Sequence, residues 1–207
     1  MKTLIAIPCF DMVNVDFVRS FTDLVKPEGT VYTMIKNTLI YNARNFIAKN
    51  AIQHDFDRVL WLDSDITCEP DTLIRLSEDM DKGIDFVSGL YFMRQIPTKP
   101  VIYSDLWWKN DGGWVETGAI NYIDYPEGVF EIDGSGFGCV MTSVALLKRM
   151  TEKYGAPFTP LMGLGEDTAF CWRMKMEGEK MYCDSRVRCG HIMQTVIDEN
   201  VFRTSAE

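Results

Sequence analysis

Apolar residues fall along this chain in short blocks that follow two rhythms. Thr3 to Ile7 is a compact apolar run closed by Pro8, which has no N–H to give a central ladder, so a first strand is expected there. Asp11 to Leu24 carries Val15, Val18, Phe21 and Leu24 at helical spacing and stops at Pro27-Glu28-Gly29. Thr30 to Met34 reads as a second strand. Leu39 to Ile52 reads as a helix, with Leu39, Ala43, Phe46, Ile47 and Ile52 apolar and Asn42, Arg44, Asn45 and Lys49 on its other faces. Val59-Leu60-Trp61-Leu62 does not alternate at all, as expected of a strand covered on both sides, and Asp63 ends it. A helix opening at Pro70-Asp71 and running through Leu73, Ile74, Leu76 and Met80 comes next, then a strand from Phe86 to Tyr91.

Strands and helices thus alternate from Thr3 to Tyr91, which predicts an α/β layer structure with ligands near the carboxyl ends of the strands. The middle of the chain changes character. Asp105 to Gly128 holds Trp107, Trp108, Trp114 and the turn Asn110-Asp111-Gly112-Gly113, and predicts irregular loops or short antiparallel strands. Val129 to Asp133 resumes a strand, Gly134-Ser135-Gly136-Phe137-Gly138 is pliable backbone, and helices are expected from Ser143 to Tyr154 and from about Asp167 to Glu177. No repeat, low-complexity tract or linker divides the chain, so residues 1–207 are expected to form one domain, a size a single core can serve.

Composition narrows the function. Twenty-one basic against thirty acidic residues leave a net charge of -9, which argues against a broad nucleic-acid surface. It leaves room for a phosphorylated small molecule, because a bound divalent cation reverses the local field of a carboxylate site. Cys9, Cys68, Cys139, Cys171, Cys183 and Cys189 contain no CxxC pair and read as free, mostly buried thiols, which implies a reducing, cytoplasmic setting. The N-terminal residues read as a strand rather than a signal peptide. No stretch approaches the roughly 20 apolar residues of a membrane span.

The candidate chemistry centres on Asp63-Ser64-Asp65. In an extended segment, residues two apart share a face, so both carboxylates would look toward one cation, and hard oxygen ligands suit magnesium or manganese. The plain alternative is a strand-end turn whose two acids face water. Asp63-Ser64-Asp65-Ile66-Thr67 also has the DxDxT form of haloacid-dehalogenase-like phosphatases. Those usually begin with the motif-bearing strand, whereas here other elements come first, and Lys175 and Glu166-Asp167 stand in the wrong order for that chemistry.

Several segments in order resemble the family-2-like glycosyltransferases of the glycosyltransferase A-type fold. Ile5-Ala6-Ile7-Pro8-Cys9 resembles their first strand, whose loop approaches the nucleotide; Asn42-Ala43-Arg44-Asn45 resembles the helix segment before the metal strand; Asp63-Ser64-Asp65 resembles the DxD motif. Gly134-Ser135-Gly136-Phe137-Gly138-Cys139 resembles the acceptor-side strand and turn, Gly165-Glu166-Asp167 the ED motif that opens a helix, and Cys189-Gly190-His191 the late histidine segment. The resemblance implies a mixed central sheet flanked by helices, and a nucleotide-diphosphate sugar and a hydroxyl-bearing acceptor as partners, with Mn2+ or Mg2+ as cofactor. It implies donor binding by Pro8, Arg44, Asp63, Ser64 and Asp65, metal ligation by Asp63, Asp65 and His191, and catalysis by Glu166 and Asp167, with Asp167 the base in an inverting transfer and a substrate-positioning residue in a retaining one. Gly134, Ser135, Gly136, Trp107 and Trp108 fall on the acceptor side.

Each role has a simpler counterpart. Arg44 can fork onto phosphate, orient a carboxylate, or stand exposed on a helix. Acids at a helix start are favoured by capping and the local field alone. The glycines can serve a turn, and the tryptophans can pack within an insertion. A nucleotidyltransferase is the rival of related class, although no early glycine-rich loop with a basic residue is present. A catalytically silent carbohydrate-binding or scaffolding protein is the rival of a different class.

Overall fold

The computed structural model describes residues 1–194. Positions 195–207, which the sequence reading placed in the same domain, lie outside the described residues. The elements run β1 (Thr3–Cys9), α1 (Val15–Asp23), β2 (Thr30–Lys36), α2 (Ile40–Gln53), β3 (Arg58–Leu62), β4 (Ile66–Cys68), α3 (Thr72–Met80) and β5 (Phe86–Leu90). After them come β6 (Ile102–Asp111), β7 (Trp114–Asn121), β8 (Val129–Ile132), β9 (Gly134–Ser135), β10 (Cys139–Ser143), α4 (Val144–Tyr154), α5 (Glu166–Met176) and β11 (Met181–His191).

Among the described residues these build a mixed α/β fold with a central sheet ordered β2-β1-β3-β10-β5-β11-β4, and β8 pairs with β11 off that path. β2, β1 and β3 are parallel, β10 runs antiparallel between β3 and β5, and β11 is parallel to β5. The non-alternating apolar runs are explained by the period of two. Leu4, Ala6, Val59, Trp61, Phe86 and Val140 point into one core with α2, α4 and α5, while Ile5, Ile7, Leu60, Leu62, Val87 and Met141 point into another with α1 and α3. Both faces of β3 and β5 are therefore dry, and no polar alternation survives in them.

Local departures from the expected pattern have physical reasons. β1 continues through Pro8 to Cys9 because β3 pairs with it only from Thr3 to Ala6; beyond that point Pro8 faces no ladder partner on the β3 side and pairs in register with Ile35 of β2 alone. α1 buries Phe17 and leaves Val15 and Val18 exposed, so its buried stripe is turned from the phase that Val15, Val18 and Phe21 implied. The segment around Trp107 and Trp108 is a regular hairpin, β6 with β7, closed by Gly112-Gly113 with φ of 59° and 101°, the left-handed pair a two-residue primed turn requires. β4, β10 and β11 were not legible as strands. All six cysteines are free, and five are buried. Among the described residues no helix is long and apolar enough to cross a membrane.

Candidate functional site

The carboxyl ends of β1, β3, β5 and β11 lie on one edge of the sheet. The antiparallel β10 brings its own start, Gly138-Cys139, to the same edge, where Asp63 N–H donates to the Gly138 carbonyl at 2.9 Å. Here the chain gathers Pro8, Asp63, Ser64, Asp65, Tyr91, Arg94, Glu166, Asp167 and His191 around two adjoining hollows.

Asp63 to Asp65 is a tight turn between β3 and β4, closed by Ile66 N–H donating to the Asp63 carbonyl at 3.0 Å. The extended geometry that would aim both carboxylates at one cation is therefore absent, and the two acids take different partners. Asp63 is held by Arg44 on α2, whose Nη2 lies 2.9 and 3.2 Å from the two carboxylate oxygens. Asp65 has other partners, Arg94 Nη1 at 2.8 Å and His191 Nε2 at 3.6 Å.

Asp65 and His191 meet because β4 and β11 pair antiparallel, with His191 opposite Ile66 and Ile192 N–H donating to the Asp65 carbonyl at 2.8 Å. The histidine ring is fixed from behind. Its Nδ1 lies 2.8 Å from the Phe92 carbonyl, and a carbonyl only accepts, so Nδ1 carries a hydrogen there and Nε2 is the ring atom turned toward Asp65. Tyr91 packs edge-on against the ring.

Arg44 is the buried charge of the site. Its guanidinium sits over Phe137 and Trp61, with Nε 3.3 Å from Glu166 and Nη1 without a hydrogen-bond partner. Orienting carboxylates is the role its contacts perform, and Arg44 also lines one of the two hollows. Burial pushes the Asp63 carboxyl up to about 6, with Arg44 pulling against it and the charge of Asp65 adding to the rise. Burial also raises Asp65, but His191 and Arg94 outweigh it and hold that carboxyl below its ordinary range. Asp167 is raised by burial and then by the neighbouring Glu166 charge.

Glu166 and Asp167 form the first turn of α5, where Asp167 Oδ1 accepts from the Thr168 N–H at 2.6 Å. Both acids line the larger hollow, of about 390 Å³, with Arg44, Asp63, Asp65, Tyr91, Arg94, Phe137, Gly138 and His191. A narrower cleft of about 150 Å³ adjoins it at the turn. Pro8, Cys9, Phe10, Ile35, Thr38, Ile40 and Ala43 line it, with Asp63, Ser64 and Asp65 at its mouth.

The expected acceptor-side residues stand elsewhere. Gly134 and Ser135 form β9, paired to β6; Ser135 is fully buried and its hydroxyl donates to the Gly136 carbonyl at 2.9 Å. Gly136 lies behind the wall of the larger hollow, where a Cβ would stand 2.1 Å from the Tyr91 hydroxyl. Phe137 and Gly138 are the members of this segment that line the hollow. Trp107 covers Gly118 across the hairpin, and the Trp108 indole donates to the Met162 carbonyl at 2.8 Å; neither lines the two hollows.

Two site residues were missed from the sequence, Tyr91 and Arg94. Tyr91 Oη accepts from the Gly138 N–H at 3.1 Å and so ties β5 to the start of β10. Both follow the buried run of β5, and the rule that places Asp63 at the end of β3 would have pointed to them. Among the described residues no group of three or more His, Cys, Asp or Glu side chains gathers closely enough to hold a metal ion.

No family model matches this chain, and no curated protein matches it. Among solved structures, the crystal structure of A197 from STIV aligns with 94% of this chain and 87% of that chain, at a TM-score of 0.67 and 18% sequence identity. The two share a fold. At that identity the likeness carries the architecture, a mixed α/β domain with a central sheet flanked by helices, and leaves function to the site.

Proposed function

We propose that this chain is a divalent-metal-dependent glycosyltransferase of the glycosyltransferase A type, taking a nucleotide-diphosphate sugar as donor and a hydroxyl as acceptor. The observation that carries the reading is the Asp65–His191 pair: two metal-ligating atoms 3.6 Å apart at the carboxyl edge of the sheet, between two hollows. The donor set fits the ion. A carboxylate oxygen and an imidazole nitrogen whose tautomer is fixed by a backbone carbonyl are ligands that manganese accepts and magnesium tolerates, with diphosphate oxygens and water available for the remaining positions. Bound there, Mn2+ or Mg2+ would offset the negative charge that grows on the departing diphosphate.

In this reading the narrow cleft beside Pro8 and Ser64 takes the nucleoside and the larger hollow takes the donor sugar and the acceptor. Arg44 holds Asp63 and Glu166 in place beneath them. In a transfer with inversion, the bond from the anomeric carbon to the diphosphate breaks as the acceptor oxygen bonds to that carbon, and the acceptor proton passes to Asp167. A carboxyl raised by burial and by Glu166 is the stronger base for it.

One observation favours a second reading. No three ligating side chains converge among the described residues, and Asp63 is engaged by Arg44, as expected of a catalytically silent carbohydrate-binding or scaffolding protein. A nucleotidyltransferase would use the same acidic edge. The readings separate in a donor screen with Mn2+ or Mg2+ and mixed acceptors, scoring nucleotide diphosphate, pyrophosphate and glycosylated product. Transferase activity gives nucleotide diphosphate and product, both lost in D65N. Pyrophosphate release points to nucleotidyl transfer, and sugar binding without turnover of any donor points to the silent protein.

A further inference from the structure

Arg94 shares Asp65 with His191 and has no part in the donor site described above. It lies on the loop after β5, whose base is closed by Val101 N–H donating to the Tyr91 carbonyl at 3.0 Å and Met93 N–H donating to the Lys99 carbonyl at 2.8 Å. The backbone carrying Arg94 is thus fastened on both sides, while the side chain is half exposed and stands between the larger hollow and the one next to it along the Asp65 edge.

Its Nη1 lies 2.8 Å from Asp65 Oδ2, the same oxygen that His191 Nε2 approaches at 3.6 Å. A cation held between that oxygen and that nitrogen needs the space and the lone pairs the guanidinium uses. The two compete for Asp65, because two positive charges drawn to one carboxylate oxygen repel each other. A guanidinium released from Asp65 would remain on the loop that borders both hollows, where a diphosphate bound with the ion would come within its reach. Its planar fork suits phosphate better than a lone carboxylate oxygen.

We infer that Arg94 is a donor-binding residue that alternates between two partners: it pairs with Asp65 until a divalent cation takes that carboxylate, and then becomes a ligand of the donor's diphosphate. The inference rests on the metal role proposed for Asp65. Arg94 therefore opposes binding of the bare cation and favours binding of the cation together with diphosphate.

The test uses the full chain, with Mn2+ alone and then Mn2+ with inorganic pyrophosphate as probes, and measures binding by calorimetry and by the Mn2+ paramagnetic resonance signal. An exposed ion pair is a weak competitor, so R94Q is expected to bind Mn2+ alone roughly three- to tenfold more tightly than the parent chain. A charge-assisted phosphate contact is stronger, so the same variant is expected to bind pyrophosphate in the presence of Mn2+ roughly tenfold more weakly, with R94K between the two. The opposite signs are what a merely structural role would not produce. Equal Mn2+ affinity in parent and variant, or weakening of both ligands together, overturns the inference while leaving the metal site standing. Failure of the parent chain, R94Q and D65N alike to bind Mn2+ overturns the metal reading and the inference with it.

Discussion

Replacing Arg44 with methionine removes the positive charge on which two acids of the site depend, while keeping an unbranched stem over Phe137. Breaking a buried ion pair by removing one partner costs about 3–5 kcal/mol when the remaining charge is sealed from water. Here the side chains of Asp63 and Glu166 retain 27% and 17% exposure, so water reaches both and either can take up a proton. The Glu166 contact, at 3.3 Å, is also the longer of the two. Discounting for that solvation, R44M is expected to lose about 2–4 kcal/mol. For a domain of this size that corresponds to a fall in Tm of about 5–15 °C. Urea denaturation and calorimetry measure the loss directly, and a double-mutant cycle with D63N identifies its source. If the Arg44–Asp63 pair is responsible, D63N costs about 1–2 kcal/mol less in the R44M background than in the parent chain. A loss below about 1 kcal/mol for R44M, or strict additivity with D63N, would refute the view that Arg44 organises these carboxylates.

The other expectations concern chemistry and packing. D65N is expected to abolish metal-dependent nucleotide release and Mn2+ binding together, checked by a coupled release assay and calorimetry; retained Mn2+ affinity would move the ion elsewhere. D167N is expected to reduce kcat by about 100-fold or more with donor affinity largely kept, as for removal of a general base, and a matching loss of donor affinity would count against that role. Asp167 must be ionised to accept a proton, and burial together with Glu166 raises its carboxyl, so activity should fall with decreasing pH at a higher pH than for an ordinary aspartate. E166Q removes the second of those causes, and the acid limb of kcat/KM should then move to lower pH; a limb that stays in place separates Glu166 from the base. G136A sets a methyl carbon 2.1 Å from the Tyr91 hydroxyl, and overpacking of this kind costs about 1–3 kcal/mol, measurable as a lowered urea midpoint.

The edge that carries the site was legible because burial leaves a periodic trace. A strand dry on both faces has to be apolar at every position, so Val59 to Leu62 announces itself, and the first polar residue after it, Asp63, has to lie at the sheet's rim. The same logic located β1 and β5. It failed where pairing partners, not side-chain pattern, make the strand. β4 is three residues long and exists because β11 lies against it; β10 follows a glycine run that reads as loop; β11 mixes Asp184, Arg186 and Arg188 into its length because those side chains pair with one another or reach solvent. A glycine run gives no sign of which way it faces, so Gly134, Ser135 and Gly136 read as open backbone although the Tyr91 ring and β6 close over them.

What the sequence determined by itself is the set of short-range facts: an alternating α/β order, free thiols, an acidic surface and a pair of carboxylates at the end of a buried strand. Local pattern and composition suffice for these, because each depends on neighbours within a few positions of the chain. Which way each carboxylate turns was decided by tertiary structure alone. Asp63 goes to Arg44 and Asp65 to His191 and Arg94, because a tight turn splits the two, and the partners arrive from α2, the loop after β5 and the far end of β11. Spacing along a chain fixes which residues can share a site, and only packing fixes which charges meet there.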